Sequence, residues 1–139
     1  MASFTKINTF VEHLAEKVHN LGSDQIVVAL SNTAHGSESP TPVVLADLTQ
    51  VAYTNLSSRN VTTTSSEQAA GTYKLTLTDL TLTSSGGTTG PFRYIYLYND
   101  TATNDELIGY YDYGSSLTLQ DGDSLTLDFD GSNGVLTIA

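Results

Sequence analysis

Three groups of residues in this 139-residue chain have the types that site chemistry uses: the loop Asp128-Phe129-Asp130-Gly131-Ser132-Asn133-Gly134, the histidines His13, His19 and His35, and the run Ser84-Ser85-Gly86-Gly87-Thr88-Thr89-Gly90. The first gathers oxygen ligands as calcium loops do. Counted from Asp128, however, the twelfth position of a helix–loop–helix calcium site is Ala139, so no bidentate glutamate is supplied and a turn is the better reading. The histidines show no ligand spacing, because six residues along a helix put His13 and His19 on different faces; solvent-facing imidazoles are expected. The glycine-rich run lacks a following Gly-Lys-Ser/Thr and opens no helix, so it reads as a flexible connection rather than a phosphate loop. Carboxylates are plentiful, but none pair off as glycoside hydrolysis needs, and there is no tryptophan for a sugar platform. Neither catalysis nor a cofactor or metal is expected.

The remaining concentration of chemistry-bearing side chains is aromatic. Seven of the eight tyrosines lie between positions 73 and 113, and Tyr94, Tyr96 and Tyr98 alternate with Arg93, Ile95 and Leu97. A period of two marks a strand, and apolar atoms on both faces mark a central one, covered on each side. Leu107 to Tyr113 supplies a second aromatic strand, with Tyr110, Tyr111 and Tyr113. The tyrosines can form a packed core with hydroxyls at the rim. Alternatively, one face is a subunit interface, since aromatics and Arg are enriched there. Arg93, Tyr94, Tyr96, Tyr98, Tyr110, Tyr111 and Tyr113 are therefore the interface candidates. Arg93, the sole cation of the region, is expected to anchor a salt bridge to Asp100 or Asp112.

Composition narrows the partners. The formal charge is −10, from 5 Lys plus Arg against 15 Asp plus Glu, and no Lys or Arg follows Arg93. Nucleic acid as a partner requires a basic patch, so it is disfavoured. With no cysteine, neither a disulfide framework nor a thiolate metal site can form. No apolar run approaches a membrane span and the start has no secretory pattern, so a cytoplasmic origin without membrane association is expected.

A length of 139 residues predicts one domain over 1–139, with residues 1–22 carrying an N-terminal helix and 23–139 a β-sandwich. Phe10, Val11, Leu14, Ala15 and Val18 recur at helical spacing, with Thr5 or Asn8 as the cap and Asn20-Leu21-Gly22 as a glycine stop. Gln25–Leu30 reads as a strand and Thr33–Pro42 as a mobile surface loop. Leu45–Leu48 reads as either strand or a helical turn. Arg59–Thr64 reads as an exposed strand, with Ser65–Ala70 turning. Tyr73, Leu75 and Leu77 fall out of phase with Leu80 and Leu82, so Gly71–Gly90 is expected to be hairpin-like with a bulge or bend near Asp79. Leu117–Leu119 and Leu125–Phe129 flank Asp121-Gly122-Asp123 as a tight hairpin, and Val135–Ile138 closes the chain. The fold class expected is mainly β: an amphipathic N-terminal helix, then an antiparallel β-sandwich or jelly-roll-like barrel of about eight strands.

Several of these stretches carry a resemblance. Phe4-Thr5-Lys6-Ile7-Asn8 through His19-Asn20-Leu21-Gly22-Ser23-Asp24 resembles one end of a small structural virion protein found among tailed bacteriophages. The Gly90-Pro91-Phe92-Arg93-Tyr94 run with Leu97-Tyr98-Asn99-Asp100-Thr101-Ala102-Thr103, Ile108–Gly114, and Asn133-Gly134-Val135-Leu136-Thr137-Ile138-Ala139 are similar to its other end. The resemblance spans nearly the whole chain, with about Ala34 to Ala70 least distinctive. It implies a non-enzymatic virion component, most concretely a capsid decoration protein that binds the major capsid protein and forms a homo-oligomer. A tail protein (tube or fibre/adhesin) with tail subunits as partners is the second expectation. A carbohydrate-binding module using the tyrosines is the third.

Overall fold

The computed structural model describes residues 2–36 and 42–139. Among these, ten strands follow one another in the chain: β1 (Phe4–Lys6), β2 (Ile26–Ser31), β3 (Asn60–Val61), β4 (Thr63–Ala69), β5 (Thr72–Leu77), β6 (Leu80–Thr83), β7 (Thr89–Asn99), β8 (Leu107–Leu119), β9 (Ser124–Leu127) and β10 (Leu136–Ile138). One helix, α1 (Phe10–Ala15), and one 3₁₀ turn at Leu45–Asp47 accompany them. The protein is mainly β, and every ladder is antiparallel.

The strands form a five-stranded sheet in the order β1-β8-β7-β2-β3, a three-stranded sheet β10-β5-β4 and a two-stranded sheet β6-β9. The tyrosine strand β7 is thus central, as two apolar faces require. One face of the large sheet carries Ile95 and Leu97 with Val28 and Leu30; the other carries Tyr94, Tyr96 and Tyr98 with Val27 and Ala29. A continuous apolar cluster joins the sheets, with Phe10, Leu75, Leu77, Leu82, Phe92, Leu97 and Phe129 at 2% exposure or less. Leu75, Leu77 and Leu82 share this core despite their opposite phase, because Thr78-Asp79 interrupt the strand and the chain passes from one small sheet to the other.

Several expectations are corrected. The break at Thr78-Asp79 does not make a hairpin: β5 pairs with β4 and β10, whereas β6 pairs with β9. The turn at Asp121–Asp123 likewise carries the chain from β8 in one sheet to β9 in another. Ser65–Ala69 is strand rather than turn, and β4 returns into β5 through Ala70-Gly71, both with positive φ (51° and 86°), the geometry of a two-residue type I′ hairpin. Leu45–Asp47 takes the helical alternative. Residues 37–41 of the expected Thr33–Pro42 loop lie outside the described residues.

The helix is also shorter than expected and starts after Thr9, whose side chain makes no capping bond. Of its apolar stripe Phe10 is buried and Leu14 half-buried, Val11 stands 51% exposed, and Val18 lies beyond the end. The stop comes at Lys17, not Gly22. Lys17 has φ 69°, its N–H donates to the Leu14 carbonyl at 3.3 Å, and the Val18 N–H donates to the His13 carbonyl at 2.9 Å. This pair of bonds is a Schellman closure with lysine in the left-handed position that glycine usually takes.

Upstream, Phe4–Lys6 forms an unanticipated edge strand on β8, facing Tyr111, Tyr110 and Gly109. Only glycine fits at 109, since a Cβ there would run into the Phe4 ring and stand 2.6 Å from the Thr5 carbonyl oxygen.

Candidate interaction surface

The two aromatic strands predicted from sequence are neighbours, with Tyr96 opposite Tyr110 and Tyr94 opposite Asp112. Their pairing puts Tyr94, Tyr96, Tyr98 and Tyr110 on one face. Tyr96 and Tyr110 stack at 5.0 Å with 27° between planes, and Tyr94 meets Tyr110 edge-on at 6.3 Å. Tyr96 is fully buried and Tyr98 4% exposed, so both support this face from within, while Tyr94 and Tyr110 are half-buried and reach its surface. Burial, then the neighbouring Tyr110 and Tyr94, raises the Tyr96 phenol well above its ordinary value.

Arg93 borders the half-buried tyrosines. Its Nε and Nη2 donate to the Asp112 carboxylate at 2.8 and 3.0 Å, and its guanidinium carbon stands 5.3 Å from the Tyr94 ring. Of the two partners expected for Arg93, Asp112 is the one in place. The hydrogen bond from Arg93, then that from the Gly114 N–H, holds the Asp112 carboxyl below its usual range. Both side chains of this pair are about two-fifths exposed, at 39% and 41%. An ion pair so open to water adds little to stability, but its two-pronged geometry fixes the direction in which the guanidinium is presented.

Beside the pair, β8 bulges: between the Tyr94–Asp112 and Phe92–Leu117 pairings β7 advances two residues and β8 five. The excess projects Tyr113-Gly114-Ser115-Ser116, with Gly114 at φ 96°. Tyr111 and Tyr113 belong to the opposite face. Tyr111 packs 5.3 Å from the Phe4 ring and 6.2 Å from Phe129, and burial, then the carboxylates of Asp128, Asp130 and Asp79, pushes its phenol up to about 12. Tyr113, 46% exposed, rims a small apolar slot of about 150 Å³ with Tyr111, Leu125 and Leu127. The seven interface candidates therefore divide between two faces, and Arg93, Tyr94 and Tyr110 are the ones that combine.

Two further residues matter here. Arg59 lies 3.7 Å over the Tyr53 ring and donates through Nη1 to the Val28 carbonyl, while the Tyr53 hydroxyl accepts from the Leu30 N–H at 2.9 Å. Neither residue carried a site role in the sequence: Arg59 stood at the head of an expected exposed strand, and Tyr53 lies apart from the other seven tyrosines. Two placements of the charged and polar loops also bear on function. Asp130 folds its own loop as a turn, accepting from the Asn133 backbone N–H and side-chain amide, which lower its carboxyl most, and from the Ser132 N–H. His19 is not solvent-facing: it is 5% exposed, 6.1 Å from the His13 ring, because the closure at Lys17 folds the chain back over the helix.

No family model, curated protein or solved structure matches this chain. The surface itself offers stacking area, a directed guanidinium and hydrogen-bonding hydroxyls, which is the chemistry of association.

Proposed function

We propose that this chain is a non-enzymatic structural component of a phage virion: a decoration protein that docks on the capsid lattice through the surface of Arg93, Tyr94 and Tyr110. The resemblance of its end segments to a virion protein family supports the virion reading. The observation that carries the docking reading is the side-by-side placement of half-buried tyrosines and an oriented, solvent-open Arg93–Asp112 pair on the central strands. Anchors of this type dominate association energies once water is excluded around them. We read the sheets as two layers of a jelly-roll-like sandwich, with the large sheet as one layer and the two smaller sheets as the other. Such a body presents a rigid face.

The mechanism is linkage. A protein that binds only the assembled lattice stabilises it by mass action, and many copies in symmetric clusters resist outward pressure from packaged DNA. The strong negative charge keeps the face from adhering to nucleic acid.

The test is co-sedimentation of the purified protein with expanded capsids and, separately, with tail tubes. Saturable binding to capsids alone is the expected result. Binding to tails alone, or assembly into rings or filaments of itself, would move the protein to the tail. Binding to neither would end the virion reading.

A further inference from the structure

His19 lies where the segment after the helix meets the β7–β8 connection, and its surroundings fix its proton. The Asn99 side chain is held by its oxygen, which accepts from the N–H groups of Thr101 at 3.0 Å and Ala102 at 3.1 Å. Its amide nitrogen therefore faces the other way, donating to Asp24 Oδ2 at 2.6 Å and lying 3.0 Å from His19 Nδ1. Asn99 has only hydrogens to offer there, so Nδ1 must be the bare nitrogen and the proton must sit on Nε2. Nε2 is buried and has no acceptor among the described residues.

Turning the amide over gives no escape. Its oxygen would then face the Asp24 carboxylate, and its NH₂ would face two backbone donors. Asp24 completes the clasp by also accepting from the Asn20 N–H at 2.8 Å. Next to it, the Gln25 N–H donates to Thr101 Oγ1 and the Asp100 N–H donates to the Gln25 carbonyl, both at 2.9 Å. These bonds join residues 19–25 to the turn at 99–102 along a groove of about 1040 Å³, which Lys17, His19, Asp24, Tyr73, Thr101 and Glu106 help to line.

We propose that His19 is a proton-operated latch: a proton on Nδ1 sets donor against donor at Asn99, releases residues 19–25 from the 99–102 turn and opens the groove between them. The charged groups around it work in both directions. Burial, then the His13 imidazole, lowers the His19 value, while the carboxylates of Glu106 and Asp24 oppose them and the net shift is downward. Lys17 adds positive charge at the groove. A base whose value is depressed in the closed state leaves that state at full strength above the ordinary imidazole value of about 6.5 and weakens it as the pH falls below that value. Once released, the imidazolium has the Asp24 carboxylate within its own segment as a counter-charge. The latch is independent of what the docking surface binds.

The test is NMR on the intact wild-type chain, following the imidazole nitrogens of His19 and His13 together with amide exchange corrected for intrinsic rates. The expected result is a neutral His19 carrying its proton on Nε2 and titrating below the ordinary value. Protection of the Gln25 and Asp100 amides, whose bonds cross between the two segments, should fall about tenfold between pH 7.5 and pH 5.5, the ratio for one imidazole of ordinary value in the open state. Val28 and Leu97 in the large sheet should keep their protection. His19→Gln, whose amide oxygen can accept from Asn99 without titrating, should remove the pH dependence. The proposal is overturned by a His19 protonated on Nδ1 at neutral pH, by titration without loss of protection at those amides, or by loss of protection throughout the sheet at once.

Discussion

Arg59 and Tyr53 act together on the open edge of β2. The guanidinium covers the tyrosine ring at 3.7 Å, and each side chain serves a backbone group of that strand, the Val28 carbonyl and the Leu30 N–H. β3 pairs only with Ile26 and Val27, and Gln50 pairs with Ser31. The two side chains therefore occupy the gap between short backbone partners and blunt an edge that could recruit another strand.

Removing one member tests this role. Tyr53→Phe keeps the ring under Arg59 but leaves the Leu30 N–H without its acceptor, and is expected to cost about 1–2 kcal/mol in denaturant unfolding. Arg59→Ala removes the cation–ring contact as well and should cost more. It should also raise self-association in sedimentation velocity as the edge opens.

Lys17 and Ala70 are non-glycine residues at φ 69° and 51°. Left-handed backbone disfavours a Cβ by about 1 kcal/mol. Lys17→Gly and Ala70→Gly are each expected to raise stability by up to that amount, measured as a higher denaturant midpoint at unchanged slope. A loss of stability at position 17 would contradict the Schellman closure.

Gly109→Ala should do the opposite. The new methyl would meet Phe4 and the Thr5 carbonyl, so β1 must shift away from β8, at a cost of about 1–3 kcal/mol. Exchange protection at the Ile7 amide, which donates to Ile108, reports that shift directly. Tyr96→Ala, at a fully buried ring, should cost about 3–5 kcal/mol, a large share of the roughly 5–15 kcal/mol that holds an ordinary domain folded.

Alkaline titration tests the aromatic packing. Burial is the leading cause that raises the phenols of Tyr53, Tyr96, Tyr98 and Tyr111. A phenol raised on folding stabilises the fold fully below the unfolded value of about 10, and that stability is lost as the pH climbs beyond it. Phenolate absorbance should therefore rise in two stages, the second coinciding with loss of the fold. A single early stage in a folded protein would contradict the burial.

The sequence disclosed what local alternation can carry. Tyr94 to Tyr98 with Ile95 and Leu97 gave a strand apolar on both faces, and β7 is central. The phase change between Leu77 and Leu80 marked the break between β5 and β6. What alternation omits is the identity of the partner strand, so β5–β6 and β8–β9 resembled hairpins while each member joined a different sheet. The Ser/Thr run of β4 lacked an apolar face to betray it, and β1 was too short. His19 was misplaced for a different reason. Its position depends on a lysine taking a conformation that sequence reserves for glycine. At the candidate surface, Arg93 and the tyrosines were legible as a group, but their division between two faces follows from pairing register alone.

The most direct test of the docking account is capsid binding by Arg93→Glu beside the wild type. The Arg93–Asp112 pair is solvent-open, so the variant should melt as the wild type does, while the reversed charge beside Tyr94 should abolish saturable binding. A variant that melts normally and binds capsids with undiminished affinity would place the docking face elsewhere and contradict the account.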